Sequence, residues 1–166
     1  KGRVVSFEDA LNDCRVANNE PIYRLDDPAT MGLLSAYARS LSDGMKLNVR
    51  VSSAAAQKAF EAGKQVFYGR HGQQNFACAH CHADYAGYRW AGQTLSPALG
   101  QATHWPIFRT GNRPVTLQMR YAECFRLGQH VPDKVGSLRM NNLEYFHSYL
   151  SNGLPLRANA LRDLAP

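Results

Sequence analysis

FACAHCH, residues 76–82, is the most informative stretch of this 166-residue chain. Its two cysteines, Cys78 and Cys81, lie three positions apart, and His82 follows the second directly. Cys-x-x-Cys-His is the signature of covalent c-type haem attachment: two thioethers tether one porphyrin, and the adjacent histidine binds its iron. The motif therefore predicts one covalently attached haem c, held by Cys78, Cys81 and His82.

Other kinds of site fit this motif less well. A zinc site needs about four ligands, and the chain has no second Cys-x-x-Cys and no paired-histidine motif. A thioredoxin-like redox pair would sit in a βαβ setting, whereas helix and loop patterns flank Cys78. A structural disulfide between Cys78 and Cys81 would leave His82 unexplained.

The composition narrows the class of protein further. With 45% hydrophobic residues the chain can bury a core, and its net charge of +6, with 14 arginines and 5 lysines, predicts a surface that attracts anions. The basic residues are scattered singly, so a nucleic-acid partner is not expected. No apolar run approaches the ~18–20 residues of a membrane span, and the first residues lack the apolar core of a secretory signal, so we expect any export signal to have been lost.

Five helices are predicted from caps and apolar periodicity, over about residues 6–15, 27–44, 53–69, 114–127 and 142–152. About forty residues rich in Gly, Pro and polar side chains separate the third helix from the fourth. So long an irregular segment usually wraps or forms a site. The expected fold is all-α and cytochrome c-like, with helices packed around the haem.

An internal repeat relates the second and fifth helices. Leu34, Leu41, Gly44 and Leu47 lie 109 positions before Leu143, Leu150, Gly153 and Leu156, and Cys14 lies 110 before Cys124. The alternative is two unrelated amphipathic helices that both stop at glycine. The repeat predicts that residues 1–50 are the C-terminal part of a first cytochrome c-like unit, entered midway, and that residues 51–166 form the c-type haem domain.

The second axial ligand has several candidates: Met119, Cys124, His130, Met140 and, less plausibly, His104 and His147. At about 100° per residue, Leu117, Arg120 and Tyr121 share the helical face of Cys124, while Met119 lies about 140° away. Only one of Met119 and Cys124 can therefore face the porphyrin. Cys124 remains either a ligand or a buried thiol, and a disulfide to Cys14 is disfavoured because equivalent positions in two units should exceed the ~7 Å bridging limit.

Four stretches of the chain resemble the SoxA family, a subunit of the SoxAX cytochrome of sulfur oxidation. They are FYGRHGQQNFACAHCH (67–82), WPIFR (105–109), RYAEC (120–124) and LEYFHSYLSNGLPL (143–156). The resemblance covers essentially the whole chain, and Cys-x-x-Cys-His followed by Arg-x-x-x-Cys is a specific combination. The segment after Cys124, FRLGQHVPDK, departs from the Arg-Ala-Glu-like stretch common in the family.

The resemblance implies a periplasmic, haem-dependent L-cysteine S-thiosulfotransferase. Such proteins pair with a SoxX-like cytochrome c subunit and oxidatively join thiosulfate to a cysteine of a SoxYZ-like carrier protein. By match to the family motif, His82 and Cys124 would bind the iron, and Cys124, often a persulfide in the family, would be the catalytic sulfur beside Arg120. The first unit in the family holds a second haem or a disulfide remnant.

Two other functions remain open on the sequence. A simple electron-transfer c-type cytochrome would use a methionine ligand at positive potential, whereas thiolate ligation favours the enzyme. A thiosulfate dehydrogenase would make tetrathionate without a carrier protein.

Overall fold

The computed structural model describes residues 3–90, 92–110 and 113–158. Five α-helices occur in chain order: α1 Phe7–Ala17, α2 Leu33–Ser40, α3 Ala54–Tyr68, α4 Leu117–Leu127 and α5 Leu138–Tyr149. A π-helical turn, Pro28–Gly32, leads directly into α2. The all-α expectation is confirmed, and no helix in the described residues has the length and apolarity to cross a membrane.

Polar caps explain where four of these helices begin. Ser6 and Asp9 form the expected capping box at α1, and Ser53, Thr116 and Ser137 each accept a backbone N–H in the first turn of α3, α4 and α5. Two predicted starts are wrong. Pro114 lies in a strand three residues before α4, and α5 begins at Leu138 rather than Asn142.

Two small hairpins, which the sequence analysis did not predict, lie in the long segment between α3 and α4. Strand β1 (Arg89–Trp90) pairs with β2 (Gln93–Thr94), and β3 (Ile107–Thr110) pairs with β4 (Arg113–Val115). A π-helical turn at His80–Asp84 and a 3₁₀ turn at Gln101–Thr103 complete the segment. Strands of two to four residues are too short to show a hydrophobic period, so the sequence carries no signal for them.

The core lies between α3 and α5 and continues to α4. Gly63 lets α3 approach α5 closely, because a Cβ at this position would come within 1.9 Å of the Asn142 carbonyl oxygen. Phe67 packs against Phe146, and Leu143 is fully buried beside them. This packing fixes α3, whose end leads into the Cys-x-x-Cys-His segment, relative to α5.

The internal repeat is visible in the backbone. Helix α4 has the length of α1 and begins 110 positions later. The turns that follow α2 and α5 pair with each other: Gly44 N donates to Leu156 O, and Gly153 N, 109 positions later, donates to Leu47 O. The Leu47 N to Leu154 O and Leu156 N to Met45 O bonds repeat the same exchange. These bonds support a repeat whose halves meet about a pseudo-twofold axis, while the boundary at residue 50 stays a prediction.

A polar cluster lies where the same two halves meet, and Asn141 Nδ2 of the second half donates to Asp9 Oδ2 of the first at 2.8 Å. Ser35 Oγ donates to Glu8 Oε1 at 2.6 Å, and Gln118 Nε2 donates to Glu144 Oε2 at 2.7 Å. Glu8 and Glu144 are both buried. Burial, and then the nearby charge of Glu8, raise the pKa of Glu144 to about 7.

Candidate functional site

A cavity of about 560 Å³ brings together every residue predicted for the site. Cys78, Cys81 and His82 lie on one side of it, and Arg120 and Cys124 of α4 line it as well. These residues are separated by about forty positions in the chain. Their convergence on one cavity is what the haem prediction requires.

The two cysteines of the Cys-x-x-Cys-His segment lie in surroundings that favour the neutral thiol. Burial raises the pKa of Cys78 to about 12 and also raises the pKa of Cys81. Thioredoxin-like redox cysteines have a lowered pKa instead. All four cysteines, which lie in the described residues, are unbridged. The raised pKa values of Cys78 and Cys81 therefore do not suit a thioredoxin-like redox pair.

His82 is held in one tautomer. Its Nδ1 lies 2.7 Å from the Ser96 carbonyl oxygen, which can only accept a hydrogen bond. Nδ1 therefore carries a proton, which in the neutral ring leaves Nε2 to bind a metal. The segment around Ser96 packs on the motif because Ala98 N donates to the His82 carbonyl oxygen at 2.8 Å.

Helix α4 turns the predicted face toward the cavity. Leu117, Tyr121 and Cys124 line it, with Arg120 among them, whereas Met119 faces a separate shallow groove with Val115 and Pro132. The argument that Met119 and Cys124 cannot share a face is confirmed.

Of the other ligand candidates, some line the cavity and others lie outside it. His130 and His147 also line the cavity, whereas Met140 is buried in the core outside it and His104 stacks on Trp105. No methionine lines the cavity among the described residues. The structure thus gives no support to the methionine ligand that a simple electron relay would use.

Two further cavity residues form a pair that was not predicted from the sequence. Tyr121 Oη and His147 Nδ1 are 2.8 Å apart, and both side chains are buried. Burial raises the pKa of Tyr121 well above its ordinary value and lowers the pKa of His147 to about 4. The pair is therefore neutral at physiological pH. The sequence indicated His147 only as a weak ligand candidate, and its contact with Tyr121 could not be predicted because the two residues lie 26 positions apart.

Buried polar atoms without a hydrogen bond test whether the cavity fits a haem. Five such side-chain atoms occur in the described residues, and three of them, Trp105 Nε1, His130 Nε2 and His147 Nε2, belong to residues that line the cavity. Phe67, Leu117 and Leu143 supply apolar wall. An apolar cavity with a few unsatisfied polar atoms suits a large apolar group that carries polar substituents, as a haem does.

A short loop braces the helix that carries Cys124. His71 and Phe76 exchange two backbone hydrogen bonds, and Gln73 N donates to the Gln129 carbonyl oxygen just beyond α4. At the tip, Gly72 has φ +69°, and a Cβ there would lie 2.3 Å from the Gly128 carbonyl oxygen. The loop thus joins the approach to Cys78 to the end of α4, and only glycine fits at its closest point.

We expect Gly72→Ala to destabilise the protein by about 2 kcal/mol and to loosen the cavity, because the added methyl group pushes the loop away from α4. Gly87→Ala is the matched control. Gly87 also has a positive φ, +91°, but a Cβ there would meet nothing within 4 Å. Urea unfolding of both variants measures the difference, and equal losses of stability would contradict the bracing role.

Arg120 forms an ion pair with Glu123, one turn later on α4. Its Nη1 lies 2.8 Å from Glu123 Oε2, and both side chains line the cavity. Glu123 is the more exposed of the two, at 40% against 18% for the Arg120 side chain. This ion pair occupies part of the guanidinium fork that could otherwise bind an anion near Cys124.

Comparison with known proteins places these features in a family. The chain is 41% identical over 160 residues to the L-cysteine S-thiosulfotransferase subunit SoxA of Chlorobaculum tepidum and 39% identical over 160 residues to that of Chlorobaculum thiosulfatiphilum. Each match covers 96% of this chain and 56% of the relative. The SoxA subunit of Allochromatium vinosum is 36% identical over 165 residues, covering 98% of this chain and 58% of its own length.

A solved structure agrees with these matches. SoxXA from P. pantotrophus superposes with a TM-score of 0.85 at 29% identity, covering 93% of this chain and 58% of the other. No protein-family model matches the chain. The chain spans little more than half the length of the relatives it matches.

Proposed function

The chain is a SoxA homologue over almost its whole length, and we propose that it supplies the catalytic part of a haem-dependent L-cysteine S-thiosulfotransferase. In this proposal it works in the periplasm, joins thiosulfate to a cysteine of a SoxYZ-like carrier protein, and passes electrons to a SoxX-like cytochrome c subunit. The observation that carries the proposal is the convergence of Cys78, Cys81, His82, Arg120 and Cys124 on one cavity.

Four of these five residues would hold the haem. Cys78 and Cys81 would form the thioethers, while His82 Nε2 and the Cys124 sulfur would bind the iron. When bound, the haem supplies an electron acceptor beside the Cys124 sulfur. A thiolate ligand donates electron density to the metal and lowers its reduction potential.

Arg120 and Cys124 would act on the substrate. Thiosulfate is a dianion, and the Arg120 fork donates to its sulfonate oxygens, which brings the sulfane sulfur to Cys124. The sulfur–sulfur bond then forms with the loss of two electrons: Cys124–S⁻ and thiosulfate give Cys124–S–S–SO₃⁻. A persulfide on Cys124 would react in the same way through its terminal sulfur.

Transfer to the carrier is an exchange between sulfurs. The carrier thiolate attacks the sulfane sulfur, which is bonded to the Cys124 sulfur; the bond between these two sulfurs breaks, carrier–S–S–SO₃⁻ forms, and the Cys124 thiolate leaves. This step moves no further electrons and restores the starting residue. The rate depends on the thiolate fraction of the carrier cysteine.

Mass spectrometry of the carrier protein tests the proposal directly. The haem-loaded protein is incubated with thiosulfate, the carrier and an oxidised cytochrome c. We expect an S-thiosulfonate on the carrier cysteine and no accumulation of tetrathionate. Tetrathionate formed without the carrier would instead identify a thiosulfate dehydrogenase, and cytochrome reduction with no thiosulfate dependence would identify an electron relay.

Arg120 and Glu123 should affect substrate affinity in opposite directions. Arg120→Gln removes the charge that binds the sulfonate, so we expect KM for thiosulfate to rise about 10-fold to 100-fold. Glu123→Gln releases the guanidinium and removes a repelling charge, so KM should fall about 2-fold to 5-fold, as expected for a partly exposed ion pair. Steady-state kinetics at varied thiosulfate measures both.

Arg126→Gln is the matched control for these two variants, because Arg126 also lines the cavity and is exposed. It removes the same charge from the same helix. A rise in KM for Arg126→Gln equal to that for Arg120→Gln would show that general charge, and not the Arg120 fork, attracts the substrate.

A further inference from the structure

Gln101 contacts the ring of His82 from a rigid position. It begins the 3₁₀ turn Gln101–Thr103, directly after Gly100, and its side chain is buried. The amide atom assigned as Nε2 lies 2.9 Å from His82 Nδ1, 2.5 Å from Ser96 Oγ and 3.4 Å from the Ser96 carbonyl oxygen. Gln101 has no part in the proposed reaction, and no motif in the neighbouring sequence indicates a functional role for it.

Proton counting identifies which amide atom faces His82. The Ser96 carbonyl oxygen, 2.7 Å from Nδ1, requires a proton on Nδ1. A second donor 2.9 Å from the same nitrogen would then place two N–H groups against each other. The amide oxygen and nitrogen of glutamine are assigned from the hydrogen-bond network, and the network here requires the oxygen. With the oxygen at this position, the Ser96 hydroxyl, 2.5 Å away, donates to it.

We propose that Gln101 is a positioning residue that shares the Nδ1 proton of His82 with the Ser96 carbonyl. Two acceptors fix the ring plane more strictly than one, and together they draw the proton away from the ring. The imidazole then becomes a stronger electron donor through Nε2. The effect on an iron rests on the haem ligation proposed above: Gln101 would stabilise the ferric state and lower the reduction potential.

Two variants at this position should shift the reduction potential in opposite directions. Gln101→Glu replaces the amide with a charged, stronger acceptor and should lower the midpoint potential. Gln101→Leu removes the acceptor at similar size and should raise it. Gln93→Leu is the matched control, because Gln93 also lines the cavity but has no hydrogen bond to His82 among the described contacts. Redox titration of the haem-loaded proteins, followed by absorbance, gives the three values.

Nuclear magnetic resonance of the His82 Nδ1 proton tests the contact without the haem. In the wild-type chain this proton should be shifted downfield and protected from exchange with water. In Gln101→Leu it should move upfield and exchange at least about tenfold faster, while Gln93→Leu leaves both properties unchanged.

The outcomes separate this inference from the proposed function. Potentials that shift in the same direction for Gln101→Glu and Gln101→Leu, or an Nδ1 proton that is indifferent to Gln101→Leu, would overturn the positioning role. Failure to attach a haem would instead contradict the proposed function, and the proton resonance would still decide the role of Gln101. Gln101→Glu, which keeps size and polarity, serves if the leucine variant does not fold.

Discussion

Replacing Cys124 with methionine is expected to leave the haem attached through Cys78 and Cys81 but to abolish thiosulfate conjugation. A thioether can bind iron, but it cannot form the sulfur–sulfur bond that the proposed reaction needs, so turnover should fall by several orders of magnitude. The reduction potential should rise at the same time, because methionine donates less electron density than a thiolate. Pyridine haemochrome spectra measure attachment, and mass spectrometry of the carrier measures turnover.

Cys14→Ser is the control for this variant. Cys14 is also an unbridged thiol, occupies the equivalent place in α1 and is exposed. We expect it to retain full conjugation. A Cys124→Met protein that still modifies the carrier would refute the catalytic assignment of Cys124 and leave it only a structural role.

Replacing Glu144 with glutamine is expected to stabilise the protein by up to about 3 kcal/mol above pH 7 and to have little effect near pH 4. The pKa of Glu144 is about 7 in the folded chain, against an ordinary value of 4.5. Well below pH 4.5 the carboxyl is protonated in both the folded and the unfolded state. As pH rises toward 7, the unfolded state ionises first, so the folded state progressively loses stability. Glutamine removes this loss because it does not ionise.

Urea unfolding of wild type and Glu144→Gln at pH 5 and pH 8 measures the effect. The difference in the free energy of unfolding should be larger at pH 8. Glu61→Gln is the control, since Glu61 is exposed on α3 and bonds only to its helical neighbour Gln57 among the described contacts. A pH-independent difference for Glu144→Gln would show that the carboxyl ionises normally in the folded chain.

Much of the fold follows from signals that are local in sequence. Ser6 with Asp9, and Ser53, mark helix starts that the structure confirms, because a cap and its helix are neighbours in the chain. The start of α5 was misplaced for a different reason. This helix buries Asn141 and Asn142 as well as Leu143, since α3 and α4 both pack on it. A helix covered on more than one side loses the apolar stripe that marks its length.

The features of the candidate site that are local in sequence were likewise the ones that could be predicted. The Cys-x-x-Cys-His motif is contiguous, and the shared face of Arg120 and Cys124 follows from helical geometry, so both were accessible from the sequence. The contacts of Gln101 with His82 and of His147 with Tyr121 could not be predicted, because only tertiary packing brings these partners together, at separations of 19 and 26 residues. The packing of the Gly72 loop against the end of α4 could not be predicted for the same reason.

The hydrogen bonds exchanged between the turns after α2 and α5 affect whether the two halves of the chain can fold independently. Each turn satisfies backbone groups that the other leaves open, through the Gly44, Leu47, Gly153 and Leu156 amides. If the chain were cut between the two halves and they were separated, all four amides would have to find water instead. We therefore expect a single cooperative unfolding transition, in which the half that carries His82 and Cys124 depends on these hydrogen bonds to the other half for part of its stability.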